Sequence, residues 1–231
     1  MFLNDAFDAD FDREYRRERP IPSGAISEKA VWRWGIAWMA LGLASVAWIS
    51  PRTTIIAGIL ACCIVLYDAI HKSVEFAPII MGSCRVLLYL LAASAAAPQI
   101  NGLTVWSALV LGCYIVGLSY VARKESMSGP LRFWPCLFLA MPIVLALIAN
   151  AGPFRSTAFL YVLLLSFWVV WSLQFTFWTP KPRIGNTVSA LLAGIVLVDL
   201  LAVLGGTQLT GIVFAVLFVL ARAFQRYIPA T

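Results

Sequence analysis

The chain has 231 residues, of which 61% are hydrophobic and only 12% are charged. A water-soluble domain carries about twice that share of charged residues, so this composition cannot cover a surface that faces water. It instead indicates an integral membrane protein, for which lipid is the solvent. The net charge of +6 does not indicate nucleic-acid binding, because the basic residues lie between apolar runs, where membrane topology accounts for them.

The chain begins with a polar segment that is rich in carboxylates. Seven of the eleven acidic residues lie within the first 28 positions. No apolar stretch of the kind found in a cleavable signal peptide follows Met1, so we expect none. The five cysteines lie in or at the edges of the later apolar runs without metal-ligand spacing, which predicts buried, unreactive thiols.

Eight apolar segments follow, each of about 17–25 residues, the length that crosses a bilayer as a helix. They are continuously apolar and do not alternate with a period of two, which favours helices over barrel strands. Short breaks with turn residues, such as Ser50-Pro51 and Gly205-Gly206, separate them. The predicted spans are Ala30–Ile49, Thr53–Ile70, Ala77–Ala97, Leu103–Ala122, Arg132–Asn150, Ser156–Trp178, Asn186–Leu204 and Gln208–Tyr227.

This pattern predicts an all-α fold, a polytopic transmembrane helical bundle. We expect a single domain over residues 1–231, with an acidic motif and basic loop at 1–29 and the bundle at 30–227. If the spans alternate in direction, fourteen of the seventeen Lys and Arg residues fall on the side of the N-terminal segment. Two, Arg52 and Arg155, fall on the other side, and Arg85 lies inside a span. Positive loops stay in the cytoplasm, so the acidic motif and the C-terminus are predicted to be cytoplasmic.

The acidic residues at positions 4–12 have the spacing of one helix face. In a helix, Asp5, Asp8 and Asp12 stand at i, i+3 and i+7, and Asn4 lies one turn before Asp8. Carboxylates grouped in this way repel one another unless a cation lies between them, and hard oxygen ligands suit Mg²⁺, which also binds substrate phosphates. The alternative is a solvated acidic helix end with no ligand.

A basic run follows directly, at Arg16-Arg17-Glu18-Arg19. Its arginines, Arg19 among them, could hold a diphosphate through paired hydrogen bonds. The alternative is that they only anchor the chain at the cytoplasmic face of the membrane.

Residues 4–12 read Asn-Asp-x-x-Asp-x-x-x-Asp, and residues 19–27 read Arg-Pro-Ile-Pro-Ser-Gly-x-Ile-Ser. Together they resemble the first signature of the UbiA superfamily of intramembrane prenyltransferases. The resemblance implies a polyprenyl diphosphate held through Mg²⁺ at the cytoplasmic mouth of a helical bundle, and transfer of its prenyl group to an acceptor that is often aromatic. It also implies that Asn4, Asp8 and Asp12 are metal ligands, with Asp8 and Asp12 essential to catalysis.

A second stretch resembles the same family. Tyr67-Asp68-Ala69-Ile70-His71-Lys72 is followed by Pro78 and Gly82, and the resemblance implies that Lys72, or else His71, contacts the diphosphate. His71 fits an interfacial residue better than a general base. Arg85 lies within a predicted span, where a charge is costly, so it is a second candidate for diphosphate binding. The alternative for Arg85 is an ion pair with Asp68 or Glu75 that only joins helices.

The chain departs from the family in three places. The second aspartate motif of the family is expected near residues 117–125, where only Glu125 stands beside Arg123 and Lys124. Arg123 could neutralise the diphosphate there in place of a metal. The two helices that precede the first motif in the family are missing, which suggests a truncated gene model. Four spans follow the place of the second aspartate motif, where members of the family have three. The first motif, the degraded second motif, Tyr67-Asp68-Ala69 and Met81-Gly82-x-Cys84-Arg85 together resemble the UbiA-like EboC subgroup, for which a transport or export role has been proposed.

Two functions follow from these patterns. The first is a membrane prenyltransferase, a transferase of alkyl or aryl groups other than methyl. It would use Mg²⁺ on Asn4, Asp5, Asp8 and Asp12, and its substrates would be a polyprenyl diphosphate and a small-molecule acceptor. Arg19, Lys72, Arg85 and Arg123 would bind the diphosphate. The second is a non-catalytic carrier or export component of a secondary-metabolite pathway. In both cases we expect a multi-pass protein of the bacterial inner membrane.

Overall fold

The fold is taken from a computed structural model, which describes residues 2–124, 133–149, 155–203 and 205–225. Within those ranges every regular element is a helix, so the all-α prediction is confirmed. The helices are α1 Phe2–Phe7, α2 Ala9–Tyr15, α3 Glu28–Ala47, α4 Pro51–Ile70, α5 Ala77–Ala96, α6 Gly102–Arg123, α7 Pro135–Ala149, α8 Arg155–Phe177, α9 Ile184–Ala202 and α10 Gln208–Phe224.

The eight predicted spans correspond in order to α3 through α10. Six of these helices are long and apolar enough to cross a membrane, and α7 and α10 are apolar but shorter. The chain is therefore an integral, multi-pass membrane protein. The predicted ends at Arg132, Asn150, Leu204 and Tyr227 lie outside the described residues.

Turn chemistry sets several helix boundaries as the sequence predicts. Ser27 precedes α3, and its hydroxyl accepts a hydrogen bond from the backbone N–H of Ala30. Ser50 caps α4 in the same way through Thr53, and Pro51 occupies the first turn, where its missing N–H costs nothing. Between α2 and α3 the chain turns at Gly24, which has a φ of +76°, a conformation that glycine adopts without strain.

The first compact unit, Met1–Asn101, contains α1 to α5. Within it, α4 packs against α3 and α5, and the short α1 packs against both α3 and α4. The contact of α1 with α3 is close at Gly35, where a Cβ atom would stand 2.8 Å from the Cδ2 of Leu3. Phe7 on α1 also meets Trp32 on α3 edge to face, with the ring centroids 4.9 Å apart. The acidic segment is thus held against two membrane-spanning helices.

The second compact unit, Gly102–Thr231, contains α6 to α10. Neutral side-chain donors at buried and half-buried positions of this unit bond to backbone carbonyls of α9. The hydroxyl of Tyr114, which is fully buried, donates to the Leu191 carbonyl at 2.9 Å, and the Trp168 indole N–H donates to the Ala190 carbonyl at 2.9 Å. Because each donor is satisfied, these bonds fix α9 against its neighbours at little desolvation cost.

The prediction of a single domain stays a prediction, and the helices group into two compact units. The prediction of buried thiols holds for Cys84 and is wrong for Cys62, which is exposed. The reason is that an apolar helix in a bilayer does not need protein to cover every face, so Cys62 on α4 can lie at its surface.

Candidate active site

The acidic segment forms two short helices that behave almost as one. α1 and α2 are separated only at Asp8, where the backbone hydrogen bonds continue: Asp8 N–H donates to the Asn4 carbonyl and Asp12 N–H donates to the Asp8 carbonyl, both at 2.9 Å. Asn4, Asp8 and Asp12 therefore stand on successive turns, as the helical spacing predicts.

One side of this segment is bonded to the end of α4. The Asn4 amide Nδ2 donates to Asp68 Oδ1 at 3.2 Å, and Lys72 Nζ lies 2.7 Å from Asp8 Oδ1. His71 Nε2 lies 3.6 Å from the same Asp8 oxygen. Two of the predicted site residues, Asp8 and Lys72, are thus brought into contact although 64 positions separate them in the sequence.

The Lys72 ammonium also lies 3.7 Å from the centroid of the Phe11 ring on α2. A cation over an aromatic face is attracted by the negative charge of the ring face. Lys72 is consequently held by two elements of the acidic segment, a carboxylate and a ring, so its charge is positioned beside the motif.

The other side of the acidic segment lines a cavity of about 330 Å³ within the first unit. Asp5, Asp12 and Arg19 contribute the polar part of its lining, and Arg19 Nη1 lies 3.4 Å from Asp5 Oδ1. The rest of the lining is apolar: Phe2, Pro20, Ile21, Ala25, Ile26 and Val31. A cavity that combines two carboxylates, a guanidinium and apolar side chains has the chemistry to hold a charged head group that carries an apolar tail.

Asp12 is the least satisfied polar residue of this cavity. Its side chain is only 3% exposed, and its Oδ1 atom is buried without a hydrogen-bond partner among the residues that the structure describes. Burying a carboxylate oxygen unpaired costs about 1–3 kcal/mol or more, so a partner is expected from outside the protein. A cation that also contacts Asp5 would supply that partner.

The donor set fits Mg²⁺ in part. Asp5 and Asp12 supply two carboxylates to one cavity, which suits an ion that usually keeps several waters and completes its shell with substrate phosphates. Over the described ranges, however, no three His, Cys, Asp or Glu side chains are grouped closely enough to hold a metal by themselves. Asn4 and Asp8 instead face Asp68 and Lys72.

The electrostatics of Asp5 favour a cation beside its carboxyl group. Burial raises the pKa of the Asp5 carboxyl above its ordinary value, and the nearby Arg19 guanidinium only partly opposes this effect. Asp8 and Asp12 raise the pKa of Asp5 further through repulsion. The charged form of Asp5 is therefore disfavoured at this position, and a divalent ion between Asp5 and Asp12 would favour it.

Two predicted diphosphate ligands, Arg85 and Arg123, are not among the residues that line this cavity. Arg85 lies on the exposed side of α5 and forms an ion pair with neither Asp68 nor Glu75 within residues 2–124, so the alternative role as a helix-joining pair is wrong. Arg85 is exposed, whereas Asp68 is buried and accepts a hydrogen bond from Asn4. Arg123 lies in the second unit at the end of α6, and Glu125 lies outside the described residues. Binding of diphosphate by Arg85 and Arg123 stays a prediction.

Two residues that contact the acidic segment or its lysine were not predicted as site residues from the sequence. Asp68 accepts the hydrogen bond from Asn4, and Phe11 lies under Lys72. The available signal for Asp68 was its position one helical turn before Lys72, since residues four apart share a helix face. No sequence signal distinguished Phe11 from an ordinary membrane-facing ring.

Comparison with known proteins supports the resemblance seen in the motifs. The sequence model of the UbiA prenyltransferase family matches residues 1–183. A digeranylgeranylglyceryl phosphate synthase of Methanoregula boonei is 43% identical over 74 residues, which is 32% of this chain and 26% of that protein. The match thus spans about a quarter of the length of that curated relative. No solved structure matches. Because the family model covers most of the sequence, this chain belongs to the UbiA prenyltransferase family.

Proposed function

We propose that the chain is a membrane prenyltransferase that takes its prenyl group from a polyprenyl diphosphate and depends on Mg²⁺. The observation that carries the proposal is the cavity on the acidic segment, in which Asp12 has a buried, unpartnered carboxylate oxygen beside Asp5 and Arg19. The apolar remainder of the lining suits the first isoprene units of the donor. Membership of the family and the name of the relative support the same activity.

In this proposal the residues of the chain hold and orient the donor. Asp5 and Asp12 bind the ion, which supplies positive charge to the diphosphate when it is bound. Arg19 donates hydrogen bonds to phosphate oxygens from within the cavity, and a planar guanidinium is well suited to this. Lys72 lies at the edge of the acidic segment, in contact with Asp8. Its ammonium group adds a second positive charge when it contacts the diphosphate as well as Asp8.

The chemical step breaks the bond between the allylic carbon and the diphosphate oxygen, and both electrons pass to that oxygen. A nucleophilic carbon or oxygen of the acceptor forms the new bond and then loses its proton. Cations positioned before the reaction stabilise the charge that develops on the leaving group, which is the largest contribution that a fixed site of this kind makes. We further propose that the acceptor is aromatic and that Arg85 and Arg123 contact the diphosphate.

The acceptor and the orientation are part of the proposal. The name of the relative describes geranylgeranyl groups on a glyceryl phosphate, so geranylgeranyl diphosphate is the donor to test first and an alcohol acceptor belongs beside the aromatic ones. The excess of basic residues in alternate loops supports a cytoplasmic position for the acidic segment and the C-terminus, in a bacterial inner membrane. Likeness to the EboC subgroup stays a prediction.

The test uses the full chain in nanodiscs with Mg²⁺, labelled geranylgeranyl diphosphate, and a cell extract as the source of acceptors. We expect release of diphosphate together with a labelled lipid product, and loss of both in Asp8→Ala and in Asp12→Asn. Asp10→Asn is the matched control, because the Asp10 side chain is 97% exposed and pairs with Arg13 on the surface. Binding of the donor without turnover in the wild type would contradict the enzyme and support the carrier.

A further inference from the structure

A second candidate site lies in the part of the chain that extends beyond the family match. α9 and α10 follow residue 183, where the match ends, and with α8 they enclose a groove of about 670 Å³. Three aromatic side chains of α8, Trp168, Trp171 and Phe175, form one wall of it. Arg222 on α10 and Asn186 at the start of α9 also line it.

Arg222 is held in a fixed position within this groove. Its guanidinium carbon lies 5.5 Å from the centroid of the Trp168 ring and 5.9 Å from that of Trp171. Arg222 Nη1 donates to Gln225 Oε1 at 2.9 Å, and Gln225 Nε2 donates to the Ser189 carbonyl at 2.7 Å. The rings and the amide orient the guanidinium before any ligand arrives, which lowers the entropic cost of binding.

The charge of Arg222 is not neutralised. It makes no ion pair in the portion of the chain that the structure describes, and no other charged side chain lines the groove. A guanidinium has five N–H donors, of which one is bonded to Gln225. The groove therefore presents a half-buried cation with free donors beside an apolar aromatic wall, and this combination is complementary to an anionic head group that carries a hydrocarbon chain.

The position of the groove in the bundle identifies the source of such a ligand. The hydrogen bond from Gln225 to Ser189 shows that the end of α10 lies beside the start of α9, and Arg183 N–H donates to the Phe175 carbonyl at the end of α8. Arg222 thus lies near the helix ends where Lys181 and Arg183 also stand. Tryptophan and arginine are typical of the level of lipid head groups, and basic pockets between spans bind anionic lipids there.

We propose that this groove binds an anionic phospholipid of the surrounding membrane, with the lipid phosphate on Arg222 and an acyl chain along Trp168 and Phe175. The proposal does not depend on the prenyltransferase function, because it involves none of the residues of the acidic segment. It assigns a ligand to α9 and α10, which the family match leaves without a role.

The test is native mass spectrometry of the full chain in detergent, titrated with phosphatidylglycerol or with phosphatidylcholine of the same acyl chains. We expect the wild type to retain one phosphatidylglycerol in preference to phosphatidylcholine. Arg222→Gln should weaken phosphatidylglycerol binding about tenfold, since a charge-assisted hydrogen bond to phosphate is lost. Arg155→Gln is the matched control, because Arg155 is an exposed arginine at the start of α8 that does not line the groove.

Two further variants separate binding from folding. Arg222→Lys keeps the charge and should bind the lipid more tightly than Arg222→Gln. Asn186→Asp leaves Arg222 in place, adds a negative charge to the lining, and should weaken lipid binding as well. Equal binding of phosphatidylglycerol by the wild type, Arg222→Gln and Asn186→Asp would overturn the proposal. Equal retention of phosphatidylcholine would also overturn it. So would displacement of the lipid by inorganic phosphate, or by geranylgeranyl diphosphate at equal concentration, since either result would identify a different ligand.

Discussion

The polar side chains of the two units differ in their charge and in their hydrogen bonding. In the first unit the acidic segment carries several carboxylates, and Asp12 has an oxygen with no partner in the described structure. In the second unit the buried polar groups are neutral, and the Tyr114 hydroxyl and Trp168 indole each bond to a backbone carbonyl. Satisfied neutral groups fix helices in place, whereas an unsatisfied charged group indicates a ligand. The comparison assigns binding chemistry to the first unit and structural bonding to the core of the second.

Neutralising Asp12 is the test of this difference between the units for which we expect the largest effect. We expect Asp12→Asn to lower the rate of diphosphate release by about 100-fold or more, because charge stabilisation of the leaving group is lost. The free energy of unfolding should stay the same or rise by about 1 kcal/mol, since a buried charge without a partner is removed. A steady-state assay and a thermal melt check both parts.

A loss of activity in Asp12→Asn that is accompanied by a large loss of stability would contradict the distinction between the units, because Asp12 would then be a structural residue. Asp10→Asn, on the exposed side of α2, should change neither the rate nor the melting temperature.

The packing of α1 on α3 tests whether the acidic segment needs its support. Gly35→Ala places a methyl group 2.8 Å from Leu3 Cδ2 and 3.3 Å from the Leu3 backbone nitrogen, so the Leu3 side chain or α1 itself must shift. We expect a loss of about 1–3 kcal/mol in the free energy of unfolding and a lower rate of diphosphate release. Gly42→Ala on the same helix has open space around it and should be neutral. An active, stable Gly35→Ala protein would show that the position of α1 does not matter.

In the buried core of the second unit the expected effect falls on stability alone. The Thr176 hydroxyl donates to the Thr187 hydroxyl at 2.7 Å, which in turn donates to the Ser172 carbonyl at 2.9 Å. Thr187→Val removes the central hydroxyl from a fully buried position and should cost about 1–3 kcal/mol. Thr54→Val is a control, because the half-buried Thr54 hydroxyl donates to the carbonyl of Ser50, the residue that caps its own helix.

Thr187→Val should leave the affinity for the prenyl diphosphate unchanged at temperatures where the protein is folded. A changed affinity would contradict the view that the core of the second unit has a structural role and does not bind the donor. The affinity is measured by titration with labelled geranylgeranyl diphosphate.

The smallest effect is expected at Lys72, which joins the acidic segment to α4. Lys72→Met leaves Asp8 without its closest cation and removes one charge from the neighbourhood of the diphosphate. We expect about a tenfold loss of donor affinity, and a smaller loss in Lys72→Arg, which keeps the charge. Tighter donor binding in Lys72→Met would show that Lys72 competes with the ligand for the acidic segment instead of helping to bind it.

Much of the fold could be predicted from the sequence because lipid imposes simple rules on it. The eight apolar helices follow from the length of the apolar runs. The family resemblance implied that Lys72, or else His71, contacts the diphosphate, but it did not predict the contact between Lys72 and Asp8. The division of the motif between two sides could not be predicted, because it depends on tertiary contacts. Asp68 engages Asn4 and Lys72 engages Asp8, which leaves Asp5 and Asp12 facing the cavity. Helical spacing places residues on a face but does not say which neighbour covers it.

The central claim is that Asp12 and Asp5 hold a divalent ion that binds the donor, and Mn²⁺ binding tests it most directly. Electron paramagnetic resonance measures free Mn²⁺ during a titration of the full chain in the presence of geranylgeranyl diphosphate, independently of turnover. The account predicts saturable binding in the wild type and in Asp10→Asn, and at least tenfold weaker binding in Asp12→Asn and in Asp5→Asn. Equal Mn²⁺ binding by the wild type and Asp12→Asn would contradict it.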